Sequence, residues 1–556
     1  MAKGYRNTLF ESVKTPNPPR NKFDLSHDYK SSFKMGKLYP VLCEEMVPGD
    51  KFRISSDALV RCMPMSSPVY GNLRMYVHYF FVPNRLVMSK WEDFITQDGS
   101  LSKPIQVPYI SYGALTKLAY QWAGNPSAPE NILRGTLADY LGLPLYKPLT
   151  TGAGYQNYSY DAAPVNLLPF KVYAKIYNDY YRDQNLTSEL NLVEAQSGNQ
   201  SSYFNSLNPT NRWLLDLQDR SWLKDYFTSA LPTPQRGPDV LIPIDAINSS
   251  VVSDGPLRLS NSSQDASAGS NIVAGDIHNT VAGVDFGVHP ENSQTLSEYY
   301  SGLSVENSPS ITATINDLRR AIALQRFEEI SARSGNRYIE QILGHFHVRS
   351  SDARLQRAEY IGGGVTPIQI GEVLQTSATD STSPQGNLAG RGIGFGRSNQ
   401  CTYFAEEHGY LMGIASIIPE AQYFQGIRRM YNKIDPDDFY WPSFAHLGEQ
   451  EIHRSELKTL DAAGMNSAEE LFGYAPRYAE YKYVPNTITG ELRTTMANWT
   501  FARELSNSFL TPDFVKVPNI TNPYAVQDDT DKYIVWFSHR ISALRPMPFF
   551  GTPSIL

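Results

Sequence analysis

Cysteine is nearly absent from this chain. Its 556 residues hold three, Cys43, Cys62 and Cys401, none in a CxxC pair. An odd, sparse count excludes a disulfide framework and a cysteine-ligated zinc site, and leaves three reduced, mostly buried thiols. Long apolar runs are missing too. Nothing approaches the ~20 consecutive apolar residues of a membrane span, and the opening Met1–Arg6 lacks the apolar core of a signal peptide. That pattern is expected of a protein made and kept in a cytoplasm. Charge is scarce, at 19% of residues, and its balance is −7. A protein that coats nucleic acid with its whole surface is basic, so any nucleic-acid contact here is local. Catalytic signatures are lacking as well: there is no GxSxG, no HExxH and no carboxylate pair that can be placed in one cleft. The sequence names no catalytic residue, no cofactor and no metal site.

Aromatic residues are plentiful by contrast, at 12%, with 35 Tyr. With 41% apolar residues the composition is globular, and it favours strands and broad half-buried surfaces. Tyrosine suits interfaces, since its ring packs while its hydroxyl stays hydrogen-bonded. Leu73, Met75, Val77, Tyr79 and Phe81 alternate with Arg74, Tyr76, His78 and Phe80, the period of a strand with one face in a core. Further strands are expected over 38–47, 52–62, 410–418 and 533–544, with a turn at Pro48-Gly49-Asp50. Short connections among the first three suggest antiparallel pairing in a sandwich or barrel. Residues 165–186 differ: Phe170, Tyr173, Ile176, Tyr177 and Tyr180 recur at helical spacing and read as core. A second helix is expected from Thr314 to a stop at Ser334-Gly335.

Two segments depart from this pattern. Residues 1–35 read as an extended basic arm, because Pro16, Pro18 and Pro19 exclude a helix interior. Residues 1–40 carry eight basic against three acidic residues, a net of +5. Lys3, Arg6, Lys14, Arg20 and Lys22 are the candidates for a DNA-facing or interior position. Residues 36–556 read as a single domain with long insertions, of which 245–312 is the most distinct. Rich in Ser, Asn, Gly and Ala, it holds eight acidic residues against the one Arg258, a net of −7. A stretch this long without clear elements reads as an inserted surface loop.

Three smaller motifs have both a chemical and an ordinary reading. His345-Phe346-His347 places two imidazoles on one side of a strand, but two ligands without a third are weak. Asp435-Pro436-Asp437-Asp438 lacks the glycine and distant glutamate of a calcium loop and reads first as a turn. Gly390 to Arg397 alternates glycine with Arg391, Ile393, Phe395 and Arg397. The spacing fits no phosphate loop; it suits a flexible loop, a close backbone approach, or base stacking.

Six blocks carry a resemblance to a known family. They are Phe80 to Leu86, Leu168 to Leu186, Trp222 to Gly237, Asp352 to Asn387, Ile418 to Ile427, and Asp438 to Gln450 with its Phe439-Tyr440-Trp441-Pro442-Ser443-Phe444-Ala445-His446 core. In that order they resemble the major capsid protein of microviruses, the small icosahedral phages with single-stranded DNA, and within it the gokushovirus-like branch. The resemblance implies an eight-stranded antiparallel jelly roll with long inserted loops and a few helices. It also implies self-assembly of sixty copies into a T=1 icosahedral shell in the bacterial cytoplasm, ending in the virion. The implied partners are packaged circular single-stranded DNA, a small basic DNA-packaging protein, other virion proteins and a host surface receptor. Residues 245–312 fall where that branch carries a protrusion at the three-fold axes. Trp441, Phe444 and His446, with Phe549 and Phe550 of the apolar tail, are the candidate contacts between subunits. A soluble β-rich carbohydrate-binding or carbohydrate-active protein, with Tyr and Trp as sugar platforms, is the alternative.

Overall fold

The computed structural model describes residues 19–96, 105–124, 131–145, 163–192, 197–205, 209–238, 240, 250–253, 303–306, 315–335, 337–376, 385–461, 464–465 and 470–550. Lys3, Arg6 and Lys14 lie outside these residues, as do most of 245–312. Two compact units are distinguished: residues 1–234 with 331–556, and residues 235–330.

The first unit is built on ten antiparallel strands: β1 (Asn21–Asp24), β2 (His27–Phe33), β3 (Tyr39–Met46), β4 (Lys51–Cys62), β5 (Leu73–Pro83), β6 (Glu359–Leu374), β7 (Leu388–Arg397), β8 (Cys401–Phe404), β9 (Gly409–Pro419) and β10 (Tyr533–Arg545). β1 and β2 pair with successive stretches of β10, and β7 and β8 with successive stretches of β4. Counted as two interrupted strands, they leave eight positions in two layers. One layer runs β1/β2–β10–β4–β7/β8 and the other β3–β9–β5–β6. β6 and β7 are hydrogen-bonded to each other, so the sheet curls from one layer into the next. Chain neighbours β3, β4 and β5 are never paired with one another: each turn carries the chain to the other layer. This is jelly-roll topology, and the short-hairpin pairing suggested by the sequence is corrected by it. Residues 21–33, assigned to the arm from composition, are paired strands of the first layer.

Alternation decides which side chains fill the space between the layers. Phe52, Ile54, Ala58 and Val60 of β4 are buried, as are Met75, Val77, Tyr79 and Phe81 of β5. The Tyr79 hydroxyl donates to Ser56 Oγ at 2.5 Å, and Ser56 Oγ lies 2.7 Å from Nδ1 of the fully buried His539, whose Nε2 faces the Val41 carbonyl at 2.8 Å. A single polar chain thus ties β3 and β5 to β4 and β10 through the core.

On the far side of the second layer lies α1 (Leu168–Ile176), which runs into a π-helical turn at Tyr177–Tyr181. Phe170, Tyr173, Ile176 and Tyr177 are buried as their spacing requires, and Lys171 is buried with them, its Nζ on the Val87 carbonyl at 3.0 Å. The π turn shifts the helical register by one residue and brings Tyr180 and Tyr181 beside Phe80 and His78. The long segment between β9 and β10 forms a second small core with residues 226–230 from the connection before β6; Phe227, Tyr423, Ile452, Phe472 and Phe514 are among its members.

The second unit is described in part. Ser250–Ser253 pairs antiparallel with Leu303–Glu306, closing the two ends of the acidic segment on each other. The helix α2 (Ile315–Ser334) follows, leaving Leu318, Ile322, Leu324 and Phe327 exposed, and its last four residues belong to the first unit. Gly335, at φ +106°, ends it as the sequence expects. No helix among the described residues is long and apolar enough to cross a membrane.

Candidate assembly and nucleic-acid surfaces

The outward face of the first layer concentrates positive charge. In-register partners share a face, so Lys22 and Lys51 flank Leu544, Arg53 stands beside Ser542, Ser55 beside Arg540, and Lys30 beside Trp536. With Arg61, Arg391 and Arg397 there are eight cations, against Asp24, Asp28 and Asp57. Arg540 approaches Asp57 at 2.6 Å, and Arg397 grips the same carboxylate from the other side. The Arg397 hydrogen bond, opposed by burial and aided by the charge of both arginines, holds the Asp57 carboxyl below its usual range. One buried carboxylate therefore spaces two exposed guanidinium groups. A cleft of about 420 Å³ between Lys22, Arg53, Arg397 and Arg540 opens beside them.

The same face carries aromatic rings. Phe395 is 67% exposed, Phe404 is half exposed with Arg20 at 6.0 Å from its centroid, and Trp536 is partly covered. Cations interleaved with accessible rings are the chemistry of single-stranded nucleic-acid platforms, where phosphates meet charge and bases meet a flat apolar surface.

The glycine alternation makes this face possible. Gly390, Gly392, Gly394 and Gly396 of β7 point inward, where the sheet folds over. A Cβ on Gly394 would lie 2.9 Å from the Pro367 carbonyl and 3.0 Å from Ile368, and one on Gly390 2.6 Å from the Ser67 carbonyl. Their neighbours Arg391, Ile393, Phe395 and Arg397 point outward in consequence. Close backbone approach, one of the readings open in the sequence, is the one the strand uses.

A second surface lies in the segment after β9. Trp441 donates Nε1–H to the Pro436 carbonyl at 2.9 Å, and its backbone N–H goes to the Tyr478 hydroxyl at 3.2 Å. Asp438 accepts the N–H groups of Ile434 and Asp435, so the acidic run is a turn, and those bonds lower its carboxyl pKa. Lys433 sits 3.9 Å from the Tyr481 ring centroid while pairing with Glu480 at 3.2 Å. Held this way, Ile434, Tyr431, Leu447, Tyr440 and Trp441 remain exposed, with Ile434 at 85%. Phe444 is half-buried and His446 exposed. A cavity of about 700 Å³, walled by Phe439, Tyr481 and Arg428, adjoins them. A braced apolar patch this dense is a candidate contact surface.

The other sequence candidates are spread out. Phe549 stacks on Phe23 of β1 at 5.8 Å and meets Phe550 edge-on at 4.8 Å, while Asn21 holds the Met547 carbonyl at 2.7 Å. Both rings stay largely exposed. His345 and His347 are corrected: they belong to the end of the helix α3 (Tyr338–Phe346) and its left-handed cap, not to a strand, and His345 Nε2 meets Ser331 Oγ at 3.0 Å. Among the described residues no cluster of three His, Cys, Asp or Glu could hold a metal. Cys43 and Cys62 are free and half-buried, their thiols pushed up to about 12 by burial, and Cys401 is free and buried.

Comparison with known proteins adds one family and several relatives. The family model described as "Capsid protein (F protein)" matches residues 11–555. The chain is 31% identical to the capsid protein VP1 of Chlamydia phage 1 over 100% of both chains. It is 30% identical to that of Bdellovibrio phage phiMH2K, covering 98% of this chain and 97% of the relative. The capsid protein VP1 of Spiroplasma virus 4 is 28% identical over the same shares.

Proposed function

Because this chain belongs to the phage capsid protein (F protein) family, we propose that it is the subunit of a closed T=1 shell of sixty copies around circular single-stranded DNA. The family is one of structural capsid proteins and not of enzymes, which favours this reading over a soluble carbohydrate-binding or carbohydrate-active protein, and its place is the virion. The observation that supports the genome-facing part is the outward face of the first layer, eight cations against three carboxylates on a chain whose total is −7. That face, Lys22 included, is joined by Arg20 and by Lys3, Arg6 and Lys14 of the arm, and turns toward packaged phosphates. The acidic 245–312 segment projects outward at the three-fold axes and meets the host receptor. A small basic packaging protein neutralises the remaining genome charge, and assembly takes place in the host cytoplasm. The Trp441 patch, the Phe549–Phe550 tail and the exposed apolar side of α2 meet neighbouring copies.

Electron microscopy of the purified protein, with a nuclease-protection assay, tests the reading. Uniform icosahedral particles with protected single-stranded DNA and the β4–β10 face inward are expected. A stable monomer under every assembly condition, or that face on the outer surface, refutes it.

Two substitutions probe the surfaces separately. Arg53→Glu with Arg391→Glu is expected to weaken single-stranded DNA binding about tenfold or more and to shallow its salt dependence by roughly two phosphate contacts. Unchanged DNA affinity and content would place the genome contacts elsewhere. Trp441→Ala is expected to raise the concentration needed for assembly, in line with the ~2 kcal/mol of an interface hot spot, while the melting temperature of the free subunit stays put. An unaltered assembly threshold removes Trp441 from the interface.

A further inference from the structure

The cavity beside Trp441 is lined by accessible rings. Tyr431 is 69% exposed, and Phe439, Tyr481 and Tyr483 are half exposed, with Met430 and Ile427 exposed beside them. At about 700 Å³ it has room for two further phenyl rings. Its walls are fixed by bonds of their own. Lys433 lies 3.9 Å from the Tyr481 ring centroid and pairs with Glu480, which also accepts from Gln450 Nε2 at 2.6 Å. Tyr431 closes a short helical turn, its N–H donating to the Arg428 carbonyl at 2.9 Å. A hole that exists before its occupant arrives loses little entropy on binding.

Charge narrows the choice of occupant. Arg428, Arg429, Lys433 and Arg493 line the cavity against Glu456 and Glu480. Both carboxylates are used inside the wall, Glu480 by Lys433, and Glu456 by Arg429 at 3.2 Å and the Tyr226 hydroxyl at 3.1 Å. The surplus of two positive charges disfavours a cationic occupant. Several exposed phenylalanines are set aside by this: Phe395 lies between Arg391 and Arg397 on β7, Phe404 has Arg20 at 6.0 Å, and Phe509 has Arg454 at 4.0 Å.

The tail after β10 meets the condition. Pro546 to Phe550 holds no charged residue. Arg545 before it is turned back on its own sheet, donating to the Glu45 carbonyl at 2.7 Å and lying 3.5 Å from Asp50. The stack of Phe549 on Phe23, the edge-on contact with Phe550 and the Asn21 bond to Met547 make a fixed knob of the two rings. They are 61% and 76% exposed, and neither lines the cavity of its own chain.

We propose that Phe549 and Phe550 of one copy insert into the Tyr431–Tyr483 cavity of a neighbouring copy. This pairing rests on the reading of the chain as a self-assembling subunit and goes beyond it by matching one surface to another. Tail and cavity are different patches, so the contact is heterologous and passes from copy to copy around a ring. Two aromatic side chains buried in one preformed pocket have the make-up of a hot spot. The flanking Pro546 and Pro548 keep the segment extended, which lowers the entropy lost on docking.

The test uses full-length protein at a concentration where it stays dispersed, and a labelled peptide of residues 546–556 followed by fluorescence anisotropy. Saturable binding is expected. A peptide with Phe549→Ala and Phe550→Ala should bind about tenfold more weakly, and so should the parent peptide to Tyr431→Ala or Tyr483→Ala protein. Phe395→Ala, on the outward face of the first layer, should change nothing. Tyr431 and Tyr483 are exposed, so both variants should keep the parent melting temperature; should one unfold, the alanine peptide decides. No binding of the parent peptide, or binding indifferent to these substitutions, overturns the proposal. So does tighter binding of a peptide of residues 11–22, which would make the arm the occupant. Binding that appears only after Phe549 and Phe550 of the protein itself are replaced by alanine would put the tail in its own cavity, and overturns it as well. Because the peptide meets dispersed subunits, the outcome is separate from that of the shell. Particles without peptide binding sink this pairing alone, and peptide binding without particles sinks the shell alone.

Discussion

Replacing Gly394 with valine is expected to leave little folded protein, and Gly390→Val should do the same. At Gly394 the new Cβ would meet the Pro367 carbonyl at 2.9 Å and Ile368 at 3.0 Å; at Gly390 it would meet the Ser67 carbonyl at 2.6 Å and Pro68 Cα at 2.9 Å. These obstacles are mainly backbone, so no side-chain rotation relieves them. Relief at Gly394 requires β7 to move off β6, the pairing that joins the two layers, and relief at Gly390 requires β7 to leave the Met65–Pro68 segment to which it is bridged. Overpacking a well-filled core costs about 1–3 kcal/mol and occasionally more, and rigid backbone puts these sites at the upper end. Against a typical total stability of about 5–15 kcal/mol, either change should lower the melting temperature sharply and move the protein to the insoluble fraction. Arg391→Val, one residue from Gly390 on the outward face, is the control. It should alter stability by about 0.5 kcal/mol or less. Equal melting temperatures for Gly394→Val and Arg391→Val would show that β7 is not held as described.

This strand also shows where sequence reasoning stops. The alternation of glycine and large residues was plain, but alternation alone does not say which side is crowded. A loop ordered by assembly and a strand pressed on its neighbour present the same letters. The layer order was hidden for a related reason. β4 and β5 were legible because alternation is local, whereas β4 pairs with β10, some 480 residues later, and such partners leave no short-range trace. His345 and His347 were misplaced because two polar residues around a phenylalanine fit a strand and a helix end equally well. The aromatic helix, by contrast, was readable almost residue by residue, since its core face repeats within a single element.

The core polar chain predicts acid lability. His539 accepts the Ser56 hydroxyl at Nδ1 and donates Nε2–H to the Val41 carbonyl, a pattern that needs the neutral ring. Burial, and secondarily the nearby His27, lowers its pKa from 6.5 to about 4. Burial and then Arg220 do the same to His78. A folded-state pKa below the unfolded one means that the unfolded chain takes up protons first. Stability is therefore intact above pH 6.5 and falls as the pH drops toward 4, by up to roughly 3 kcal/mol for each histidine. Glu44, Asp50, Asp216, Glu359 and Glu456 oppose the trend, because burial raises their pKa and their protonation on acidification favours the folded form. Glu44, Asp216 and Glu359 are only partly buried, and the charges of Arg545 and Arg429 restrain the rise at Asp50 and Glu456, whereas both imidazoles are pushed down to about 4, so the melting temperature should fall between pH 6.5 and 4. In His539→Gln, whose amide can still donate to Val41 and accept from Ser56, stability at pH 7 is expected to drop while the slope below pH 6.5 becomes shallower. A variant with the same slope as the parent would show that His539 is not the titrating group. A parent protein equally stable at pH 7 and pH 4 would mean that neither ring is held neutral, and the polar chain between the layers would have to be drawn differently.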